Sequence, residues 1–210
     1  MKIAIIGAGN VGGTLARAWT RGDHKVMFGV RSPTSTKVAA LLETMDGRAK
    51  AGSVTEAAAF GAVVALCTPW DATESAVREA RDLSGKILLD CTNPFEIDLS
   101  GLAVGRTTSG AELVASWSPG ARVVKAFNAT GFENMADPTF RDRPATMLIA
   151  GDDEAANVVA ADLAREIGFE PVNTGPLAMS RLLEPMALLW IKLAVTQGYG
   201  TRIAFQLEQK

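Results

Sequence analysis

Short apolar runs rich in branched side chains alternate along this chain with longer stretches of helical periodicity, the pattern of a parallel sheet with crossover helices. Ile3 to Ile6 is continuously apolar, as suits a strand buried on both faces. Further strands are predicted at Val26 to Val30, Val63 to Cys67, Ile87 to Asp90, Val123 to Phe127 and Met147 to Ala150. The spacing predicts a helix after Gly9 that turns Leu15, Ala16 and Trp19 inward and stops at Gly22. Other helices are predicted near Thr36 to Met45, Trp70 to Leu83, Glu112 to Ser116 and Glu154 to Ile167. This alternation is α/β and doubly wound. With no linker, internal repeat or low-complexity stretch between halves, it predicts one large domain over 1–174 and a helical extension over 175–210.

In that extension Leu182, Met186, Leu189 and Leu193 recur at spacings of four, three and four, and Leu183 and Trp190 broaden the stripe. A stripe of this kind is core or the contact face of a partner subunit, here a homodimer through the C-terminal helices. Both readings stay open at this point.

Charge narrows the partners. With 21 basic and 23 acidic residues the net charge is -2, and no run of Lys or Arg offers a footprint for nucleic acid or an anionic membrane. The apolar run at the start ends in glycines, and Met186 to Val195 is broken by Lys192, so neither reaches the ~20 residues of a membrane helix. Cys67 and Cys91 lack CxxC spacing and a histidine cluster, which excludes a zinc site and predicts reduced thiols in a cytoplasmic protein.

Gly7-Ala8-Gly9-Asn10-Val11-Gly12 is a G-x-G-x-x-G that closes a strand and opens a helix. Gly7 permits the tight turn, Gly9 lets backbone approach a pyrophosphate, and Gly12 allows close helix-strand packing. The helix N-terminus then offers free N-H groups and a positive dipole end to phosphates. The second strand ends in Gly29-Val30-Arg31-Ser32, with Lys37 beyond. An acidic residue there would hold a ribose 2'-hydroxyl; a guanidinium among hydroxyls suits a 2'-phosphate, so the expected cofactor is NADP(H). The plainer reading makes Arg31 a surface charge and the neighbouring Ser and Thr a helix cap.

Thr68-Pro69-Trp70-Asp71 follows the Val63 strand. Thr68 as cap, Pro69 at the first helical position and Asp71 at the third would make a variant capping box. Trp70 remains as an aromatic at the carboxyl edge of the sheet, where open α/β sheets bind ligands. Asn93, Phe127 and Asn128 end strands at the same edge, and with Trp70 they are the candidate frame for a nicotinamide ring.

These segments resemble the NADPH-dependent reductases of the deazaflavin coenzyme F420 and related dinucleotide-binding enzymes, including the cytoplasmic domain of ferric reductases. The resemblance rests on Gly7 to Gly12, Gly29-Val30-Arg31, Thr68-Pro69-Trp70, Lys125-Ala126-Phe127-Asn128, Gly151-Asp152-Asp153, and Gly175-Pro176-Leu177 followed by Ser180 to Glu184. It implies a Rossmann subunit, usually dimeric, that passes hydride between NADP and a flavin-like or deazaflavin ring. The stretch from Leu99 to Gly110 is shorter than such reductases lead one to expect. Carbonyl reduction would need a proton donor at the edge, yet the single His24 precedes the second strand and the single Tyr199 lacks a lysine four positions on. An imine reductase of the pyrroline-carboxylate type and a non-catalytic NADPH sensor are the alternatives.

Overall fold

A computed structural model describes residues 1–209. Strands β1 (Lys2–Ile6), β2 (Lys25–Gly29), β3 (Ala49–Gly52), β4 (Val63–Leu66), β5 (Ile87–Asp90) and β6 (Arg122–Lys125) are joined by helices α1 (Asn10–Arg21), α2 (Thr36–Glu43), α3 (Val54–Phe60), α4 (Trp70–Ala80) and α5 (Gly110–Trp117). After α6 (Phe132–Ala136) come a small hairpin of β7 (Thr139–Phe140) and β8 (Arg143–Pro144), then β9 (Thr146–Gly151), α7 (Glu154–Ile167), β10 (Glu170–Asn173) and α8 (Ser180–Ile191). The main sheet runs β10-β9-β6-β5-β4-β1-β2-β3. Its first six strands are parallel neighbours in the order 3-2-1-4-5-6, the doubly wound arrangement.

The unbroken apolar reading of β1 has a direct cause. Ile3 and Ile5 enter the layer holding Leu15 and Trp19 of α1, while Ala4 and Ile6 enter the layer holding Ala57 of α3 and Val77 of α4. Burial of each isoleucine contributes roughly 1.5 to 3 kcal/mol. The Trp19 indole N-H also donates to the Leu163 carbonyl at 3.2 Å, tying α1 to α7.

The sheet has eight strands rather than the six expected from sequence. The additional two are the edge strands: β3 is Ala-Lys-Ala-Gly and β10 contains Pro171, tolerable only where one side needs no ladder donor. The strand from Met147 is present but pairs antiparallel to β6, a correction to the all-parallel expectation. Helix α3 was also absent from the expected elements, although Ser53 and Glu56 form a complete capping box at its start.

The segment beyond residue 174 packs back onto the carboxyl edge of the sheet. In α8 the buried positions are Ser180, Leu183, Glu184, Ala187 and Trp190, and a π turn over Lys192–Thr196 continues the helix. Leu182 and Leu189 of the expected stripe point outward, 63% and 52% exposed.

Candidate active site

At the switch point between β1 and β4 the chain leaves the sheet through the glycine loop. Gly7 has φ +106°, and a Cβ there would lie 2.5 Å from the Cys67 carbonyl oxygen; one on Gly12 would lie 2.2 Å from the Gly7 carbonyl oxygen. Both glycines are demanded by the fold. Gly9 is different: a Cβ on it would meet open space, so what it keeps clear lies outside the protein. It caps α1 with no side-chain hydrogen bond, and the first turn holds no acidic residue. The N-H groups and dipole end of α1 therefore face an anion-sized opening.

A cavity of about 450 Å3 spans this opening. Its wall joins Gly7, Ala8 and Gly9 to Arg31, Ser32 and Lys37 beyond β2 and to Thr68 and Pro69 before α4. Arg31 and Lys37 are exposed and have no ion-pair partner among the described residues. Ser35 caps α2 without a side-chain hydrogen bond, leaving its hydroxyl free on the same wall. Asn10 and Val11 stand outside the cavity on the first turn of α1. Ser75 and Glu79 of α4 complete it, and neither was expected from sequence. A cavity of about 510 Å3 beside His24 and Glu166 is larger, but it sits at the C-terminal end of α1 and has no glycine loop.

The expected capping box at Thr68 does not form. Pro69 itself is the cap of α4, and the Thr68 hydroxyl meets that of Thr73 at 3.0 Å, which in turn donates to the Pro69 carbonyl at 2.9 Å. Trp70 is half-buried and stacks on Trp117 of α5 with centroids 5.6 Å apart. Asn93 and Asn128 bind each other: the Asn93 amide donates to the Asn128 carbonyl at 2.9 Å, and the Asn128 amide to Asn93 Oδ1 at 3.0 Å and to the Leu183 carbonyl at 3.1 Å. Asn128 Oδ1 is buried and has no partner. Phe127 is not part of this rim. Its φ of +59° turns the ring into the core, 1% exposed, between Trp19 and Phe169.

Beneath the asparagines lies a charged cluster missed from sequence. Lys125, with no solvent exposure, places Nζ 2.8 Å from Asp90 Oδ2, from the Thr92 carbonyl and from Glu184 Oε1. Burial alone would lower its pKa, but the Asp90 and Glu184 carboxylates outweigh that and hold it raised. Glu184 also accepts the Gly110 and Ala111 N-H groups, at 2.9 and 3.0 Å, thereby capping α5. One carboxylate thus joins α8, α5 and β6. A charge closing an apolar strand, Asp90 after Ile87-Leu88-Leu89 and Lys125 after Val123-Val124, is the sequence signal that would have found it. On the surface, Arg181 of α8 binds Glu112 of α5 through two donors.

The sheet order and the open glycine loop at its switch point define a dinucleotide-binding α/β protein. Residues 2–94 match the family model described as NADP oxidoreductase, coenzyme F420-dependent. The chain is 32% identical to the F420-dependent NADP reductase of Methanothermobacter marburgensis, with 93% of each chain covered. It is also 32% identical to metalloreductase STEAP3 of Rattus norvegicus over 89% of its own length, but it spans only 36% of that protein. A solved structure of a putative F420-dependent NADP-reductase from an Arthrobacter species superposes with a TM-score of 0.91 at 27% identity, covering all of both chains. The chain belongs to the coenzyme F420-dependent NADP oxidoreductase family. Among the described residues no helix is long and apolar enough to cross a membrane, and no His, Cys, Asp and Glu group is arranged to hold a metal.

Proposed function

We propose that this protein passes a hydride between NADPH and a flavin-like or deazaflavin ring such as coenzyme F420 at the carboxyl edge of its sheet. The observation that carries the reading is the orphaned, buried Asn128 Oδ1 beside Asn93, beyond the end of β6. An acceptor oxygen without a donor suits a ring bearing a carboxamide, whose N-H groups would give it one. The residues fit the cofactor at three points: α1 and Gly9 meet the pyrophosphate, Arg31, Ser32 and Lys37 the 2'-phosphate, and Asn128 the carboxamide. The nicotinamide supplies the hydride.

The protein's contribution is placement. Packed on Trp117, Trp70 has a fixed plane, and Asn93 and Asn128 are held in place by their mutual hydrogen bonds. Hydride transfer gains most from holding the reacting carbons about 3 to 3.5 Å apart with water excluded. The groups best suited to give a proton are otherwise placed: His24, before β2, is engaged with Glu166 at 2.6 Å, and Tyr199 follows α8 with its side chain exposed. The full-length likeness to reductases named for coenzyme F420 supports a ring acceptor. A screen of NADPH oxidation across deazaflavin, flavins, ferric chelates and imines tests the proposal. Turnover with the deazaflavin or a flavin is expected; turnover with imines alone, or NADPH binding with no turnover, refutes it.

The assembly that fits is a homodimer through α8. Leu182, Leu189 and Val195 are exposed, with Met186 and Leu193 half-buried between them, an apolar strip that a twofold mate would cover. Two free thiols suit a reducing compartment such as the cytoplasm.

A further inference from the structure

Cys67 and Cys91 occupy matching positions at the ends of neighbouring strands. β4 and β5 are parallel, with Leu66 opposite Asp90, and the ladder continues one step further: the Cys91 N-H donates to the Leu66 carbonyl at 3.1 Å and the Cys67 N-H to the Ile6 carbonyl at 2.8 Å. Paired residues of parallel strands point to one face, and both cysteines belong to the core layer beside α1. Neighbouring strands lie about 4.8 Å apart, inside the roughly 4.4 to 6.8 Å between Cα atoms that a disulfide spans. The Cys91 thiol donates to the Leu89 carbonyl at 3.8 Å, and the neighbouring Cys67 thiol, with burial, holds its pKa well above the ordinary value.

The pair lies directly under the dinucleotide loop. The Cys67 carbonyl oxygen is the atom that a Cβ on Gly7 would strike, and the Cys67 Cβ lies 3.3 Å from where a Cβ on Gly12 would be. Cys67 is half-buried and lines the cofactor cavity, whereas Cys91 is 7% exposed. Cys67 is thus the more accessible of the two and Cys91 the buried partner.

We propose that Cys67 and Cys91 form an oxidisable dithiol site whose closure to a disulfide weakens dinucleotide binding and which bound dinucleotide shields. A hydroperoxide is the oxidant. The Cys67 sulfur, as thiolate, attacks the peroxide O-O bond, forming a sulfenic acid and releasing one water once the leaving oxygen takes a proton. The Cys91 sulfur then displaces the hydroxyl from Cys67, the S-S bond forms, and a second water leaves with the Cys91 proton. Two thiols lose two electrons and two protons, and hydrogen peroxide is reduced to two waters. Drawing Cys67 toward Cys91 moves the floor on which Gly7 and Gly12 rest. The pairing stands independently of the cofactor reading; the weakening and shielding rest on it.

The test treats the reduced, full-length protein with hydrogen peroxide and follows it by intact mass and peptide mapping. The expected product is a Cys67–Cys91 link within one chain, with the mass of two hydrogens lost. Cys91→Ala should instead accumulate a dimedone-trapped sulfenic acid at Cys67, and Cys67→Ala should consume peroxide at least about tenfold more slowly. A wild-type chain that gives only sulfinic acid or cross-links between chains, or a Cys67→Ala chain that oxidises as fast as its parent, overturns the dithiol. NADPH affinity is read separately by fluorescence titration. The oxidised chain should bind about tenfold or more weakly, with recovery on adding dithiothreitol, and saturating NADP+ should slow the oxidation to a similar degree. Equal affinity in both redox states overturns the coupling. Disulfide formation in a reduced chain that binds no NADPH would sink the cofactor reading and the coupling but leave the pair.

Discussion

Replacing Lys125 by Met removes the one cation between Asp90 and Glu184 while roughly keeping its volume. Both carboxylates remain fully buried, Asp90 held by the Thr92 N-H and hydroxyl at 3.0 and 2.6 Å, Glu184 by the N-terminal N-H groups of α5. Those bonds satisfy lone pairs but do not cancel two like charges. Removing one partner from a buried ion cluster costs about 3 to 5 kcal/mol, which for a chain of this size lowers Tm by roughly 6 to 20 °C. The variant can relieve its repulsion by protonating one carboxylate. Its folded carboxyl pKa then lies above the unfolded value of about 4, so it loses stability as pH rises and the deficit should be smaller near pH 5 than near pH 8. Adding Glu184→Gln removes the second charge and should recover part of the loss. Urea unfolding of wild type and the two variants at both pH values measures this. A deficit below about 1 kcal/mol at pH 8, or one independent of pH, would refute the charge argument.

Arg31→Ala should weaken NADPH binding roughly 10- to 100-fold and leave NADH nearly unchanged; equal loss for both in calorimetric titration would make Arg31 a structural residue. Leu189→Glu should convert the proposed dimer to a folded monomer in light scattering at micromolar concentration, and a wild-type monomer under those conditions would contradict that assembly. The Arg181 guanidinium, and after it Ser109, holds the Glu112 carboxyl below its ordinary range against a smaller opposing effect of burial. Because the folded pKa is the lower one, this clasp stabilises above the unfolded value of about 4.3 and is lost as pH falls through the folded pKa. The urea midpoints of wild type and Glu112→Gln should therefore differ at pH 7 and converge as pH falls through the folded pKa of Glu112.

Features written in local chemistry were legible from sequence. β1 declares itself because both its faces are covered, and the glycine loop because Gly7 and Gly12 answer to atoms a few residues away or in the adjoining strand. β3 and β10 escaped because edge strands need neither branched residues nor a full set of N-H donors. Helix α8 stayed ambiguous for a long-range reason. Its inner face carries Ser180, Glu184 and Ala187, which read as polar or small until Lys125, fifty-nine residues earlier, supplies the partner for Glu184. Spacing alone therefore selected the outward leucines. Phe127 was misplaced because a single positive φ, invisible in residue type, reverses its direction. The asparagine pair could be named but not joined, since β5 and β6 meet only in the folded sheet.

Stopped-flow single turnovers of NADPH with a deazaflavin test the central claim, that this edge orients rings and moves no proton through a histidine or tyrosine. At saturating NADPH, Trp70→Ala should slow the hydride step by at least about tenfold with a smaller change in NADPH affinity, because Trp70 fixes a plane rather than a charge. Tyr199→Phe and His24→Gln should stay within a few-fold of wild type. Loss of the hydride step in either of those two, with Trp70→Ala unaffected, would contradict the account and return a side-chain proton donor to the mechanism.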